Sequence, residues 1–220
     1  MNHVLSLILS FLLFTFITNL PSNNAAPSFG DVVDTDGNTL TQDNTYIISP
    51  ANSSAYSGGI TLGKATNSKC PLNVIQNNHE QGIPVKFTIP ESPYSDILTF
   101  DYLEIEFTNK PDCAESSKWF VFVDNTTQLK YVGIGGPENY HGVEIIDGKF
   151  LIIEYLSESS YSLVFCFETT GEWAPVGLKE FNSEEGTSRL VLMLVDDFRV
   201  KFVKDAPLNS VVGDKISNMR

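Results

Sequence analysis

Apolar and polar positions alternate in short bursts along the chain. Runs rich in valine, isoleucine, phenylalanine and tyrosine are broken by clusters of glycine, proline, asparagine and aspartate. Twelve runs stand out, at Val32-Val33, Thr45–Ser49, Gly59–Leu62, Asn73–Gln76, Val85–Ile89, Leu103–Phe107, Trp119–Val123, Val132–Ile134, Lys149–Tyr155, Ser162–Cys166, Arg189–Leu194 and Arg199–Val203. "LEIEF" (Leu103–Phe107) alternates apolar and acidic residues, the period of two that sets one face on a core and the other in water. "WFVFV" (Trp119–Val123) is continuously apolar and predicts burial on both faces. Beyond the first apolar run no segment sustains a helical period, so the pattern predicts an all-β domain, a barrel or a sandwich. Twelve short strands divide into three groups of four, a count that suits a three-fold β-trefoil.

The first apolar run is of another kind. "VLSLILSFLLFTFI" (Val4–Ile17) is shorter than the ~20 residues of a membrane span, and "NNAAP" follows with small residues near Ala25 and Ala26. That arrangement predicts a secretory signal peptide over 1–26, although its n-region carries only the amino group and His3. A single domain is expected over 27–205 and a polar tail over 206–220. The leader places the protein in the secretory pathway, extracellular or vacuolar. All 14 basic and 27 acidic residues lie after it, so the net charge of −13 belongs to the mature chain. So acidic a surface argues against nucleic acid and anionic membranes as partners, since both require a basic face.

Chemical motifs are few. "GGITLGKA" (Gly58–Ala65) approaches a phosphate-binding loop, but Ala65 stands where a hydroxyl must hold magnesium and no helix follows. "GIGGPENYHG" (Gly133–Gly142) lacks dinucleotide-binding spacing. Only His79 and His141 follow the leader, neither at ligand spacing from another His or Cys, so no metal is expected. No nucleophile elbow is present. Cys166 lies in the apolar "YSLVFCFE", with Glu168 and Glu172 nearby rather than the positive charge that activates a thiol. These residues predict no enzyme and no cofactor. Cys70, Cys113 and Cys166 make an odd set for an oxidising compartment, and their spacing alone leaves the pairing open. Asn52 ("NSS") and Asn125 ("NTT") head glycosylation sequons.

Several blocks carry a resemblance. "VVDTDGNTLTQDNTYII" (Val32–Ile48) resembles the opening signature of the plant Kunitz-type soybean trypsin inhibitor family, which Val32, Asp34, Gly37, Leu40, Tyr46 and Ile48 match. "KCPLNVIQ" (Lys69–Gln76) is similar to the family's first-cysteine strand, and "GIPVKF" (Gly82–Phe87) to the segment before its reactive loop. "PDCAESSKWFVFVD" and "VGIGGPENYHG" are similar to legume members, and the resemblance runs from Asp31 to Asp205. It implies a twelve-stranded β-trefoil, a Cys70–Cys113 bridge and a monomer whose partner is a serine protease. It also implies a second bridge beginning at Cys166. The partner position holds Trp173, which leaves Cys166 unpaired and the Phe167–Ala174 loop less constrained.

The resemblance places the protease-contacting loop in "TIPESPYSDIL" (Thr88–Leu98), at Ser92, Pro93, Tyr94, Ser95, Asp96 and Ile97. Pro90 and Pro93 are the bracing such a loop needs. Trypsin-directed members carry Arg or Lys after Ser-Pro-Tyr; here Ser95 stands there, followed by Asp96. A neutral residue at that place implies weak action on trypsin and suits shallow, elastase- or subtilisin-like pockets. A one-residue shift would present Tyr94 or Asp96 instead. The loop-supporting Asn of the family has two candidate equivalents, Gln42 and Asn44. A different reading is a trefoil that no longer inhibits and serves storage or defence, and a third is inhibition through the loop around Trp173. Carbohydrate binding would want repeated Gln-x-Trp motifs, which neither Trp119 nor Trp173 provides.

Overall fold

In the computed structural model, residues 29–51, 58–64, 68–155, 160–182, 186–193 and 198–205 are described. The leader, the sequon at Asn52 and the tail lie outside them. Thirteen strands occur among the described residues: β1 (Thr45–Pro50), β2 (Gly59–Gly63), β3 (Asn73–Asn77), β4 (Val85–Thr88), β5 (Glu104–Phe107), β6 (Trp119–Val123), β7 (Lys130–Ile134), β8 (Ile145–Ile146), β9 (Gly148–Tyr155), β10 (Ser160–Phe167), β11 (Trp173–Asn182), β12 (Thr187–Leu192) and β13 (Arg199–Lys204).

Six of them close a ring. β1 pairs with β4 and β13, β4 with β5, β13 with β10 and β10 with β9. β9 returns to the start of β5 through reciprocal backbone bonds between Leu103 and Phe150, at 2.8 and 3.2 Å. The hairpins β2–β3, β6–β7 and β11–β12 converge on one another through Asn73 opposite Gly133, Arg189 opposite Ile75 and Val191 opposite Tyr131. The chain passes barrel strand, hairpin, barrel strand three times, which is a β-trefoil with β8 added at the edge of β6.

Burial follows the sequence pattern. Along β5 the acids Glu104 and Glu106 are half-exposed while Ile105 and Phe107 are buried. Tyr46, Phe87, Phe107, Tyr161, Phe165 and Phe202 fill the barrel. Phe87 meets Phe202 edge-on at 5.5 Å, and Phe202 leans on Tyr161 at 5.4 Å; such pairs add ~0.5–1.5 kcal/mol beyond their area. Continuous burial of β6 holds at Trp119, Val121 and Phe122 but not at Val123 or at Phe120, which is half-exposed against Tyr140.

Two runs behave differently from the pattern's prediction. Val32-Val33 forms isolated bridges rather than a strand, with Val32 bonded to Ile97 and Val33 facing Thr39. Conversely, Trp173 and Ala174, expected in a loop, begin the ten-residue β11. Pro175 and Gly177 break its strand pattern because β11 changes partners there. Trp173–Pro175 pair with β10, and the residues from Val176 onward pair with β12. A residue without an N–H fits such a handover.

Cys70 and Cys113 are disulfide-bonded across 43 residues, a closure that constrains the unfolded chain by ~4 kcal/mol in the entropic account. Cys166 is a buried free thiol. It lies directly opposite Trp173 in the β10–β11 ladder, the position at which the resemblance put the lost partner.

Candidate functional site

The connection between β4 and β5 is anchored before it is exposed. Ile97 is fully buried; its N–H donates to the Leu40 carbonyl at 2.9 Å and its carbonyl accepts from Val32 at 3.1 Å. Leu98 N–H donates to the Asp101 carboxylate at 2.8 Å. At the other end Thr88 is the last residue of β4. Pro90 and Glu91 turn the chain, with Ser92 N–H reaching the Ile89 carbonyl at 3.3 Å. Glu91 takes a left-handed backbone, φ 60°, which a side-chain-bearing residue adopts at some cost.

A platform lies beneath the loop. Leu40 is fully buried, Thr41 N–H donates to the Tyr46 hydroxyl at 2.9 Å, and Asn44 Nδ2 donates to Thr41 Oγ1 at 2.7 Å. From this platform Gln42 spans the loop. Its Oε1 accepts from Ile89 N–H at 2.7 Å and its Nε2 donates to the Tyr94 carbonyl at 2.6 Å. Its backbone N–H donates to the Ser95 carbonyl at 2.9 Å. Of the two candidate supports, Gln42 is the one that touches the loop, while Asn44 steadies the platform.

Ser92, Pro93, Tyr94, Ser95 and Asp96 come together as one projecting arc. Tyr94 is 76% exposed, and its N–H donates to Ser92 Oγ at 3.2 Å. Ser95 is half-buried, its hydroxyl donating to Oδ2 of the exposed Asp43 at 2.8 Å. Ile97, expected among the contact residues, is instead the core anchor, because the Leu40 and Val32 pairings direct it inward. Glu91, Asp96 and Asp43 give the arc an acidic character, and no basic residue falls within Thr88–Leu98.

The remaining sequence candidates lie elsewhere. His141 is exposed, 3.8 Å from Glu138, and His79 N–H caps onto Asn77 Oδ1 at 2.9 Å. Cys166 Sγ is 4.0 Å from the Tyr102 hydroxyl. Trp173 is 47% exposed and leans on Phe100 at 5.7 Å. It lines an open cleft of about 640 Å³ with Phe167, Leu129 and Met193. Asn125 sits at the exposed tip between β6 and β7.

The chain is similar to known proteins. A legume Kunitz family model, described as trypsin and protease inhibitor, matches residues 32–204. A Kunitz-type trypsin inhibitor-like protein of Pisum sativum is 42% identical over 200 residues, covering 90% of this chain and 91% of that one. A subtilisin inhibitor of Canavalia lineata is 36% identical, covering 82% of this chain and 95% of its own. Among solved structures, a Kunitz-type trypsin inhibitor from Cicer arietinum superposes with a TM-score of 0.74 at 42% identity, covering 80% of this chain and 99% of that one.

Proposed function

The chain belongs to the legume Kunitz family of trypsin and protease inhibitors, and on that premise we propose that it is a secreted or vacuolar serine-protease inhibitor with a non-basic loop, weak on trypsin. It is not an enzyme; the proteins it resembles are protease inhibitors. The observation that carries the proposal is the Gln42 bridge, which ties Ile89 to Tyr94 beneath a projecting Ser92–Asp96 arc. An inhibitor must hold a substrate-like segment in one conformation before docking. Each backbone residue ordered in advance spares roughly 1–2 kcal/mol on binding.

In this reading Ser92, Pro93 and Tyr94 lie along the protease groove, Ser95 enters the specificity pocket, and Asp96 follows the attacked bond. Trypsin's pocket ends in a carboxylate that wants a cation, and Ser95 offers none. A small neutral side chain fits a shallow pocket, and a relative of 36% identity is a subtilisin inhibitor.

One observation favours the non-inhibitory storage or defence reading. Ser95 commits its carbonyl to Gln42 N–H and its hydroxyl to Asp43. The carbonyl must leave that bond to enter a protease's oxyanion hole. Inhibition constants against trypsin, chymotrypsin, elastase and subtilisin separate the two. Inhibition of elastase or subtilisin with little effect on trypsin is expected; inhibition of no serine protease establishes the storage or defence reading.

A further inference from the structure

We propose that Asn125 is an N-glycosylation site, occupied during passage through the secretory pathway, and that its glycan stands at the pole of the trefoil opposite the Ser92–Asp96 arc. Two sequons occur in the chain, and that at Asn52 lies outside the described residues. Asn125, Thr126 and Thr127 are all exposed at the tip between β6 and β7. Asp124 Oδ1 shapes that tip by accepting from Thr126 N–H at 3.1 Å, Thr127 N–H at 2.9 Å and Thr127 Oγ1 at 3.0 Å. The Asn125 side chain is therefore not needed to hold the turn's backbone. Its Nδ2 donates once, to the Gly142 carbonyl at 3.3 Å, and the space beside Gly142 is open to at least 4 Å.

The chemistry leaves that contact intact. The sugar is transferred from a polyprenyl-pyrophosphate-linked oligosaccharide. Nδ2 forms a bond to the anomeric carbon, the bond from that carbon to the pyrophosphate oxygen breaks, and the amide nitrogen gives up one proton. A primary amide has two N–H groups, so the second still donates to Gly142. The Cys70–Cys113 bond marks the chain for an oxidising compartment, as does the leader-like Val4–Ile17 run. The topology sets the pole. β4 ends and β5 begins beside the arc, and β5 leads away from it toward β6 and the converged hairpins. A glycan on the β6–β7 tip leaves the arc uncovered.

The test is to secrete the full chain, leader included, from yeast and map its peptides after deglycosylation in heavy-oxygen water. The expected result is a heavy-oxygen aspartate at position 125. Asn125→Gln and Thr127→Ala should each remove that mark, and Thr127→Ser should keep it. The mass carried at Asn52 is read from a separate peptide. Treatment with the deglycosylating enzyme should leave the inhibition constants unchanged. An unmodified Asn125 peptide in the secreted protein, with or without modification at Asn52, overturns the site. A change in inhibition on deglycosylation overturns the opposite-pole placement.

Discussion

Replacing Gln42 by Ala should weaken inhibition while leaving the trefoil standing. The side chain makes two bonds, from Ile89 N–H and to the Tyr94 carbonyl, at 2.7 and 2.6 Å. Both ends belong to the loop, so the loss falls on the arc rather than on the barrel. A hydrogen bond contributes a net ~0.5–1.5 kcal/mol, so losing both costs about 1–3 kcal/mol of preorganisation, or roughly 5- to 150-fold in affinity. The assay is the inhibition constant against whichever protease of the panel the wild type binds tightest, with hydrogen exchange at the Ile89 amide as a second readout. Gln42→Glu separates the two bonds. It keeps an acceptor for Ile89 but sets a carboxylate against the Tyr94 carbonyl and beside Asp43, so Ile89 should stay protected while inhibition falls. An unchanged inhibition constant for Gln42→Ala, with Ile89 exchanging as slowly as before, would refute the brace.

Ser95→Arg should strengthen trypsin inhibition by part of the ~2–5 kcal/mol that a buried charge pair carries at a complex, and Ser95→Arg with Asp96→Ile by more; trypsin inhibition constants decide it, and no gain from either means the arc does not dock. Wild-type protein should titrate one thiol, and Trp173→Cys should remove it by bridging to Cys166 across the β10–β11 ladder. Closing so short a loop should stabilise by about 2 kcal/mol, read by denaturant unfolding with and without reductant. Lys118 and Lys149 each hold one oxygen of Glu104 at 2.7 Å, and these bonds, Lys118's first, keep its carboxyl below the usual range. Its folded-state pKa is depressed, so its contribution is present above the ordinary value of ~4.3 and is lost as pH falls through the depressed one. Glu104→Gln should therefore flatten the fall in stability at acid pH, and an unaltered slope would remove Glu104 from the account.

The barrel was legible because its physics is local. A residue in a pleated strand shows one face or the other, so "LEIEF" announced its register and Val85–Ile89 and Arg199–Val203 announced buried rungs. β11 was hidden for the same reason. Its ten residues serve two sheets, and Pro175 and Gly177 mark the transfer, which in one dimension looks like a loop. Val32-Val33 misled in the opposite sense. Val32 is buried and bonded to Ile97 and Leu40, while Val33 is half-buried and bridged to Thr39, with no partner long enough to make a ladder. With the two-residue β8, which the pattern also missed, set aside, the count of twelve trefoil strands matches because one false strand offset one hidden strand.

The arc shows where sequence reading stops. Its composition marked it as exposed, and family resemblance marked its use, but rigidity there is a tertiary property. Gln42 lies 52 residues from Tyr94 and 47 from Ile89, so no pattern within Thr88–Leu98 could name it. Nor could composition separate Ile97 from its neighbours. An isoleucine after Ser-Asp reads as one more contact residue until Leu40 and Val32 are seen to take both of its backbone groups. The same two elements, the Val32 segment and the Leu40 platform, fix both the anchor and the brace. The Val32–Ile48 segment and the Thr88–Leu98 loop, far apart in the chain, are thus one mechanical unit. Weakening the platform should be felt in the arc before it is felt in the barrel. Asn44→Ala, which frees Thr41 Oγ1 without touching the loop, should raise hydrogen exchange at Ile89 and Ile97 while the amides of β5 and β10 keep their protection. Equal loss of protection throughout would mean that the platform and barrel unfold as one, and that the arc has no local stability of its own.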